Sequence, residues 1–413
     1  MIDQALFARL AGRIDSYVQA MIEMQIGLTA VPALSPDSGG DGEYEKSRLI
    51  LSYLDRYGFP AALEIGAPDK RVSSGQRPNL MVTLPGKDKS KTLWILTHMD
   101  IVPPGELKLW SRNPYEGYVQ EGKIFGRGTE DNQQDLVASI FAAKAFLDEG
   151  ITPERNIGLA FVADEETASR CGLDYVLASE GNPFSPTDLI VVPDSGNDSG
   201  SIIDVAEKSI LWLRIKTVGK QCHASKPSLG NNAFLAASHL VVRLNDLHRI
   251  FGAADQLYDP PASTFQPTKK EANVPNVNTI PGVDTFYLDC RILPRYPLAD
   301  VLSTIRALAQ EIEKYFSVTV EIVPVQQVQA PPATLHDAPV VLALQQAIRD
   351  VLQVSAVPTG IGAGTVAAFF RARQYPVAVW CRTTQTAHQP DESCTIENMV
   401  GNAKVFAHLC MQK

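Results

Sequence analysis

The sequence predicts an α/β protein, a mostly parallel sheet covered by helices and interrupted by an inserted α+β segment. Three observations carry this expectation. Short, β-branched apolar runs at 93–96, 159–162 and 189–192 read as strands buried on both faces of a parallel sheet. Stretches with helical spacing separate them, giving the strand, helix, strand alternation of βαβ units. From about residue 203 the strands become longer and partly alternating, as in a half-exposed sheet, with two helices for its other face.

Taken in order, the opening stretch to about residue 57 reads as helical, broken by a Pro/Ser/Gly-rich segment at 31–40. Strands follow at 79–84 and 92–96, then a long loop, an apolar helix over about 135–147, and strands at 156–162 and 188–192. From about residue 203 the texture changes, with longer, half-exposed strands at 203–207 and 210–218. A helix at 232–250, a strand at 285–292, a helix at 300–316 and a strand at 318–323 come next. Beyond Pro331-Pro332 the helix and strand alternation resumes from Pro339, including an apolar strand at 377–380. The last segment is therefore expected to complete the first domain: 1–207 and 329–413 form one domain and 208–328 the insert. A chain of 413 residues outgrows a single core, which agrees with two domains.

Composition excludes several function classes. A formal net charge of −9 leaves no basic stripe of the kind a phosphate backbone requires, so nucleic acid is not an expected partner. The first ten residues mix charges into a helical period and lack a secretory signal, and no apolar run approaches a membrane span. A cytoplasmic protein with no membrane partner is expected. The 6 cysteines are scattered, with no C-x-x-C pair, and read as reduced, buried residues.

The three apolar runs stop on metal-binding chemistry: Thr97-His98-Met99-Asp100, Ala163-Asp164-Glu165-Glu166 and Pro193-Asp194. Residues two apart on a strand face the same way, so Asp100 can support a ligand at His98. Adjacent Glu165 and Glu166 point differently, so one can ligate while the other stays free as a base. Gly126-Arg127-Gly128-Thr129-Glu130-Asp131-Asn132 offers a carboxylate in a glycine-flanked loop, and His388 sits in a polar loop before the last helix. Each has an ordinary alternative: a surface H-x-D, an exposed acidic turn, a helix cap at Asp131, a turn-forming Asp194. Together they gather two histidines and several carboxylates at one sheet edge, where α/β proteins bind ligands. Such a donor set suits a hydrolase using two divalent ions, zinc first and cobalt or manganese as alternatives.

The order H-x-D, G-R-G-x-x-D, E-E, D and late H resembles the M20 metallopeptidase family over nearly the whole chain, from Thr97 to Glu392. Thr97-His98-Met99-Asp100-Ile101-Val102-Pro103-Pro104-Gly105 is similar to its succinyl-diaminopimelate desuccinylase and acetylornithine deacetylase branch. The resemblance implies a zinc-peptidase-like catalytic domain with an inserted α+β dimerisation domain. It implies that Asp131 bridges two metals, with His98 and Asp194 completing one site and Glu166 and His388 the other. Glu165 would be the general base, Asp100 would orient His98, and the peptide bond after Asp131 would be cis.

Gly219-Lys220-Gln221-Cys222-His223-Ala224-Ser225-Lys226-Pro227 resembles the family's dimerisation-domain motif, whose histidine polarises the scissile carbonyl in the partner's active site. Read alone, His223 is equally a structural loop residue. Asn278 and Arg291 match positions that bind the substrate's carbonyl and carboxylate; a guanidinium fork suits a carboxylate, although an ordinary strand-end arginine is the alternative. The loop Gly360-Ile361-Gly362-Ala363-Gly364-Thr365 precedes a helix at 366–371, where Gly362, Gly364 and Thr365 would bind substrate carboxylate. No strand-led dinucleotide unit accompanies its glycines. Departures stand at Gln133-Gln134, where many members carry Lys-Gly, at Thr365-Val366-Ala367, and at Thr167-Ala168-Ser169. The expected function is two-metal hydrolysis of an amide bond in a small carboxylate-bearing N-acyl amino acid, by a homodimer. The alternatives are a dipeptidase or carboxypeptidase of the family, and a non-catalytic binding relative.

Overall fold

Alternating burial sets the orientation of the central strands. In the strand Asp88–His98, Trp94 and Leu96 join one apolar cluster with Ala160 and Val162 of Arg155–Val162 and with Ile190 and Val192 of Leu189–Gly196. Leu93, Ile95, Leu159 and Phe161, one residue out of step, face the opposite side and are equally buried. Strands buried on both faces need cover on both. Helices Leu173–Ala178 and Ala367–Ala372 pack into the first cluster, while Gln134–Glu149 and Ile396–Cys410 pack on the other side.

The computed structural model describes residues 2–413 and joins these strands in an eight-stranded sheet. Its order is Leu63–Pro68, Gln76–Leu84, Arg155–Val162, Asp88–His98, Leu189–Gly196, Val377–Cys381, Ile202–Glu207, Val357–Ile361. The four strands from Arg155–Val162 to Val377–Cys381 run parallel. Antiparallel neighbours flank them on both sides. The fold is the α/β class that the apolar runs predict, and its parallel core brings the carboxyl ends of three strands to one edge.

A second, four-stranded sheet is antiparallel, in the order Thr264–Lys270, Val283–Ile292, Ser209–Val218, Thr319–Val328. Leu211, Leu213 and Ile215 face helices Ala233–Leu244 and Leu298–Phe316. The alternate residues Trp212, Arg214 and Lys216 stay half-buried on the bare face. A short ribbon pairs Cys222–His223 with Thr279–Ile280.

Two units result. One holds the chain up to Val205 with Ala333–Thr359 and Thr365–Lys413; the other holds Ala206–Pro332 with Gly360–Gly364. The segment read as 203–207 differs from its expected place: Ile202–Glu207 is a buried strand of the large sheet, not part of the half-exposed one. The glycine loop differs too, because Gly360–Gly364 groups with the second unit. There Gly360 N–H donates to Leu257 O at 2.6 Å and Lys208 N–H to Ile361 O at 2.9 Å. A Cβ at Gly360 would lie 2.4 Å from the Tyr258 ring, so the contact requires glycine.

Three strands carry no apolar run that would announce them: Leu63–Pro68, Thr264–Lys270 and Val357–Ile361. All are edge strands interrupted by glycine or proline. Among the described residues no helix is long and apolar enough to cross a membrane, and all six cysteines are free.

Candidate metal centre

Each strand end contributes one donor group. At the end of Asp88–His98, the ring Nδ1 of His98 lies 3.1 Å from the backbone oxygen of Asp100, which fixes a proton there and leaves the Nε2 lone pair for a ligand. That Nε2 is 2.9 Å from Asp131 Oδ1 and 3.4 Å from Asp194 Oδ1. The other oxygen of Asp131 lies 3.0 Å from His388 Nε2, which is 3.2 Å from the Glu166 carboxylate. Within each triad, His98/Asp131/Asp194 and Asp131/Glu166/His388, the ligand atoms all lie within 4.8 Å of one another. Imidazole and carboxylate at this spacing fit divalent cations, with Asp131 offering one oxygen to each triad.

The electrostatics match that donor set. Burial opposes a charge on His98, yet its contacts with Asp100, Asp131 and Asp194 outweigh it and hold the ring well above its usual pKa. Hydrogen bonds to Asp131 and Glu166 raise His388 to about 10. Burial and the Asp131 charge push Glu166 up to about 7, while for Asp131 the two histidines overcome burial and hold it well below the carboxylate range. Glu165 is different. Burial, then the negative charge of Asp194, raises its carboxyl well above normal, and among the described residues that carboxylate has no hydrogen-bond partner.

Local structure explains the placement. Asp131 is not a helix cap: Gln134–Glu149 starts without a side-chain cap, and the Asp131–Asn132 peptide bond is cis, as the resemblance implies. Gly128 adopts φ +86, and a Cβ there would meet Ile101 and Gln133 at 2.6 and 2.7 Å. Asp194 lies within the strand Leu189–Gly196 and not in a turn. Glu165 and Glu166 open a single 3₁₀ turn, Glu165–Thr167, after Asp164 at φ +61. Asp100 reaches His98 through its backbone oxygen, whereas its carboxylate takes up the N–H groups of that turn.

Several supporting residues were not foreseen. Asn132 donates to Pro193 O and, at 3.3 Å, to Asp194 Oδ1, tying the Asp131 loop to the third strand end. Below the 165–167 turn, Arg77 and Glu43 form a bidentate ion pair with both side chains fully buried; Glu43 also accepts the Asp164 N–H at 3.2 Å. Lys46 is buried nearby, where desolvation lowers its ammonium to about 8. Nothing in the apolar patterning marks these charges as interior.

The other candidates fall in two groups. In the second unit, His223 pairs with Thr279 on the short ribbon, and the backbone oxygen of Asn278 accepts the Ala224 N–H at 2.9 Å, so these two segments are brought together. The Ser225 N–H donates to His223 Nδ1 at 3.1 Å, so the neutral ring carries its proton on Nε2. Arg291 is gripped by Asp289 and donates to Gly362 O at 2.9 Å, joining the strand-end arginine to the glycine loop. A Cβ at Gly364 would meet only Ile210, at 3.8 Å. In the first unit, the Thr365 hydroxyl accepts the Ala367 N–H at 3.2 Å, at the start of Ala367–Ala372.

Comparison with known proteins settles the family. The model of peptidase family M20/M25/M40 matches residues 94–412. This chain belongs to the M20 family. It is 40% identical over 412 residues to an uncharacterised metallohydrolase of Methanococcus maripaludis, covering 95% of this chain and 98% of that one. It is 25% identical over 377 residues to a succinyl-diaminopimelate desuccinylase of Cereibacter sphaeroides, covering 90% and 93%. A dinuclear metal-binding M20 peptidase of Bacillus subtilis shares the fold at a TM-score of 0.67 and 16% identity, covering 96% and 98%. An M20 chain of this kind is a metal-dependent amidohydrolase or peptidase.

Proposed function

We propose that this M20 enzyme hydrolyses the amide bond of a small N-acyl amino acid, using two divalent ions in the sites that share Asp131. The observation that carries the reading is Glu165: a carboxylate without a hydrogen-bond partner, beside two ligand triads whose other members are all engaged with one another. A binding protein has no use for such a spare base. His98, Asp131 and Asp194 would hold one ion, and Asp131, Glu166 and His388 the other; zinc is the first choice, with cobalt and manganese as alternatives. Bound there, the ions supply Lewis acidity, acidifying a water and polarising the scissile carbonyl.

The protein's own groups do the rest. Glu165 accepts the water's proton on a carboxylate oxygen and returns it to the leaving amine. His223, with its proton on Nε2, donates a hydrogen bond to the developing oxyanion. Asn278 and Arg291 bind the substrate's carbonyl and carboxylate, and Gly362, Gly364 and Thr365 add the glycine loop's donors. The enzyme works as a cytoplasmic homodimer in which His223 serves the partner's site. The desuccinylase likeness, together with the motif at 97–105, supports an N-acyl substrate over a peptide.

The test is a panel of N-acetyl and N-succinyl amino acids against dipeptides, with zinc, cobalt or manganese added to metal-stripped protein. Turnover confined to dipeptides overturns the deacylase reading. Fewer than two bound metals per chain after reconstitution overturns the two-metal one.

A further inference from the structure

Two ligand-bearing loops leave a common base. The strands Lys123–Phe125 and Ser393–Thr395 pair antiparallel, with Phe125 opposite Ser393. Antiparallel pairing sends the chain after the first strand and the chain before the second out of the same end. The loop 126–131 and the loop 384–392 therefore emerge side by side, one carrying Asp131 and the other His388.

Each loop places a glutamate beneath the other. Glu130 is 6% exposed, and its carboxylate accepts from Thr384 N at 2.6 Å, Thr384 Oγ1 at 2.7 Å, Thr386 N, Thr386 Oγ1 at 2.9 Å and Ala387 N at 3.0 Å. Glu392 is 0% exposed. It accepts from Arg127 Nη1 at 2.6 Å and from Gly128, Glu130 and Asp131 N–H groups, each at 3.0 Å.

The exchange is reciprocal down to sequence position. Glu130 stands one residue before Asp131, and its last donor, Ala387, stands one residue before His388. Glu392 in turn grips the N–H of Asp131 itself. Neither glutamate belongs to a ligand triad. Two saturated, buried carboxylates are a costly way to pack two loops, since desolvated charges are rarely more stabilising than apolar side chains of equal volume. What such groups provide is fixed geometry, and supports of this kind orient metal ligands.

We propose that Glu130 and Glu392 form a reciprocal clasp that sets the distance between Asp131 and His388, and thereby the affinity of the second metal position. They are positioning residues, and the proposal rests on the reading that Asp131, Glu166 and His388 hold a metal. The Asp131 and His388 ligand atoms lie 3.0 Å apart, on residues far apart in the chain, and the clasp joins the two loops that carry them.

The experiment titrates zinc into metal-stripped, full-length protein against a chromophoric chelator. Wild type binds two ions. Glu130→Gln is expected to weaken the second ion roughly 10- to 100-fold and leave the first within about threefold, in a metal-free protein that still folds. Glu130→Asp restores the charge but not the reach and falls between. Wild-type affinity at both positions in Glu130→Gln and Glu392→Gln overturns the clasp. So does equal loss at both positions together with a lower metal-free melting temperature, which marks a merely structural role. If Glu130→Gln fails to fold, Thr384→Val removes one hydroxyl donor to the clasp; selective loss of the second ion supports the proposal and unchanged binding overturns it. Wild type binding fewer than two ions instead overturns the underlying two-metal reading.

Discussion

The carboxylate of Asp100 accepts the backbone N–H of Glu165 on one oxygen at 3.0 Å, and on its other oxygen it accepts the N–H of Glu166, also at 3.0 Å. A residue two positions beyond the first histidine of the site thus fixes the turn that carries both a proposed ligand and the proposed base. Its carboxylate stands 3.5 Å from the His98 ring, which bonds the Asp100 backbone oxygen instead. Asp100→Asn turns an N–H group toward one of these two donors. Turnover should fall about 100-fold while both metals remain, read by steady-state kinetics beside metal analysis. Loss of the metal at His98, with normal turnover on reloading, would assign Asp100 to His98 alone.

Glu165→Gln keeps the shape of the base and removes its proton affinity. Two metals per chain and a loss of roughly 10²- to 10⁴-fold in kcat are expected. Near-normal kcat in the metal-loaded variant removes Glu165 from the role.

Metal binding should release protons. In the metal-free protein contacts with Asp131 and Glu166 raise His388 to about 10, and those with Asp100, Asp131 and Asp194 hold His98 well above its usual value, so both rings favour the protonated form and must lose a proton to ligate. The sign follows: apparent affinity rises with pH between 7 and 9, by about tenfold per unit for each proton displaced. Calorimetry in buffers of different ionisation enthalpy counts the protons. A flat affinity across this range would contradict the raised histidines.

The buried Arg77–Glu43 pair predicts a large stability effect away from the chemistry. Arg77→Met takes the bidentate partner from the buried Glu43, beside Asp100, and should cost about 3–5 kcal/mol in denaturant unfolding. The double variant Arg77→Met, Glu43→Leu should recover part of that loss. A single variant as stable as wild type would show the pair to be dispensable.

His223 and Glu165 offer a test of the dimer. If His223 serves the partner's site, mixing inactive Glu165→Gln and His223→Ala chains yields hybrids with one intact site, and activity returns. No recovery after proven subunit exchange places both residues in the same chain's site.

The parallel core and the residues gathered at the candidate metal centre were legible because both follow simple rules. A strand buried on both faces writes itself as an unbroken apolar run, and the abrupt change to His98, Glu165, Glu166 and Asp194 marks its functional end. Edge strands such as Leu63–Pro68 leave no such record. The segment Ile202–Glu207 looked half-exposed because Asp204 interrupts it, yet Asp204 is buried and accepts from Thr359 Oγ1 at 2.7 Å. The supports were invisible for a deeper reason. Glu43, Arg77, Glu130 and Glu392 are charged residues inside the protein, and their meaning lies in partners 34 to 265 positions away. One signal was present: Glu392 closes the same short run as His388, and Glu130 adjoins Asp131.

The shared oxygen donor at Asp131 has a consequence for biosynthesis. Its two triads draw on residues from 98 to 388, so a ribosome that has delivered the first 200 residues has made one complete set, His98, Asp131 and Asp194, and only two-thirds of the other. On the two-metal reading, the second set of donors is complete only once His388 has been made, near the end of translation. A chain clipped between Cys381 and His388 would keep every strand of the large sheet yet lack a donor for the second ion, so metal content would tell it from the finished enzyme.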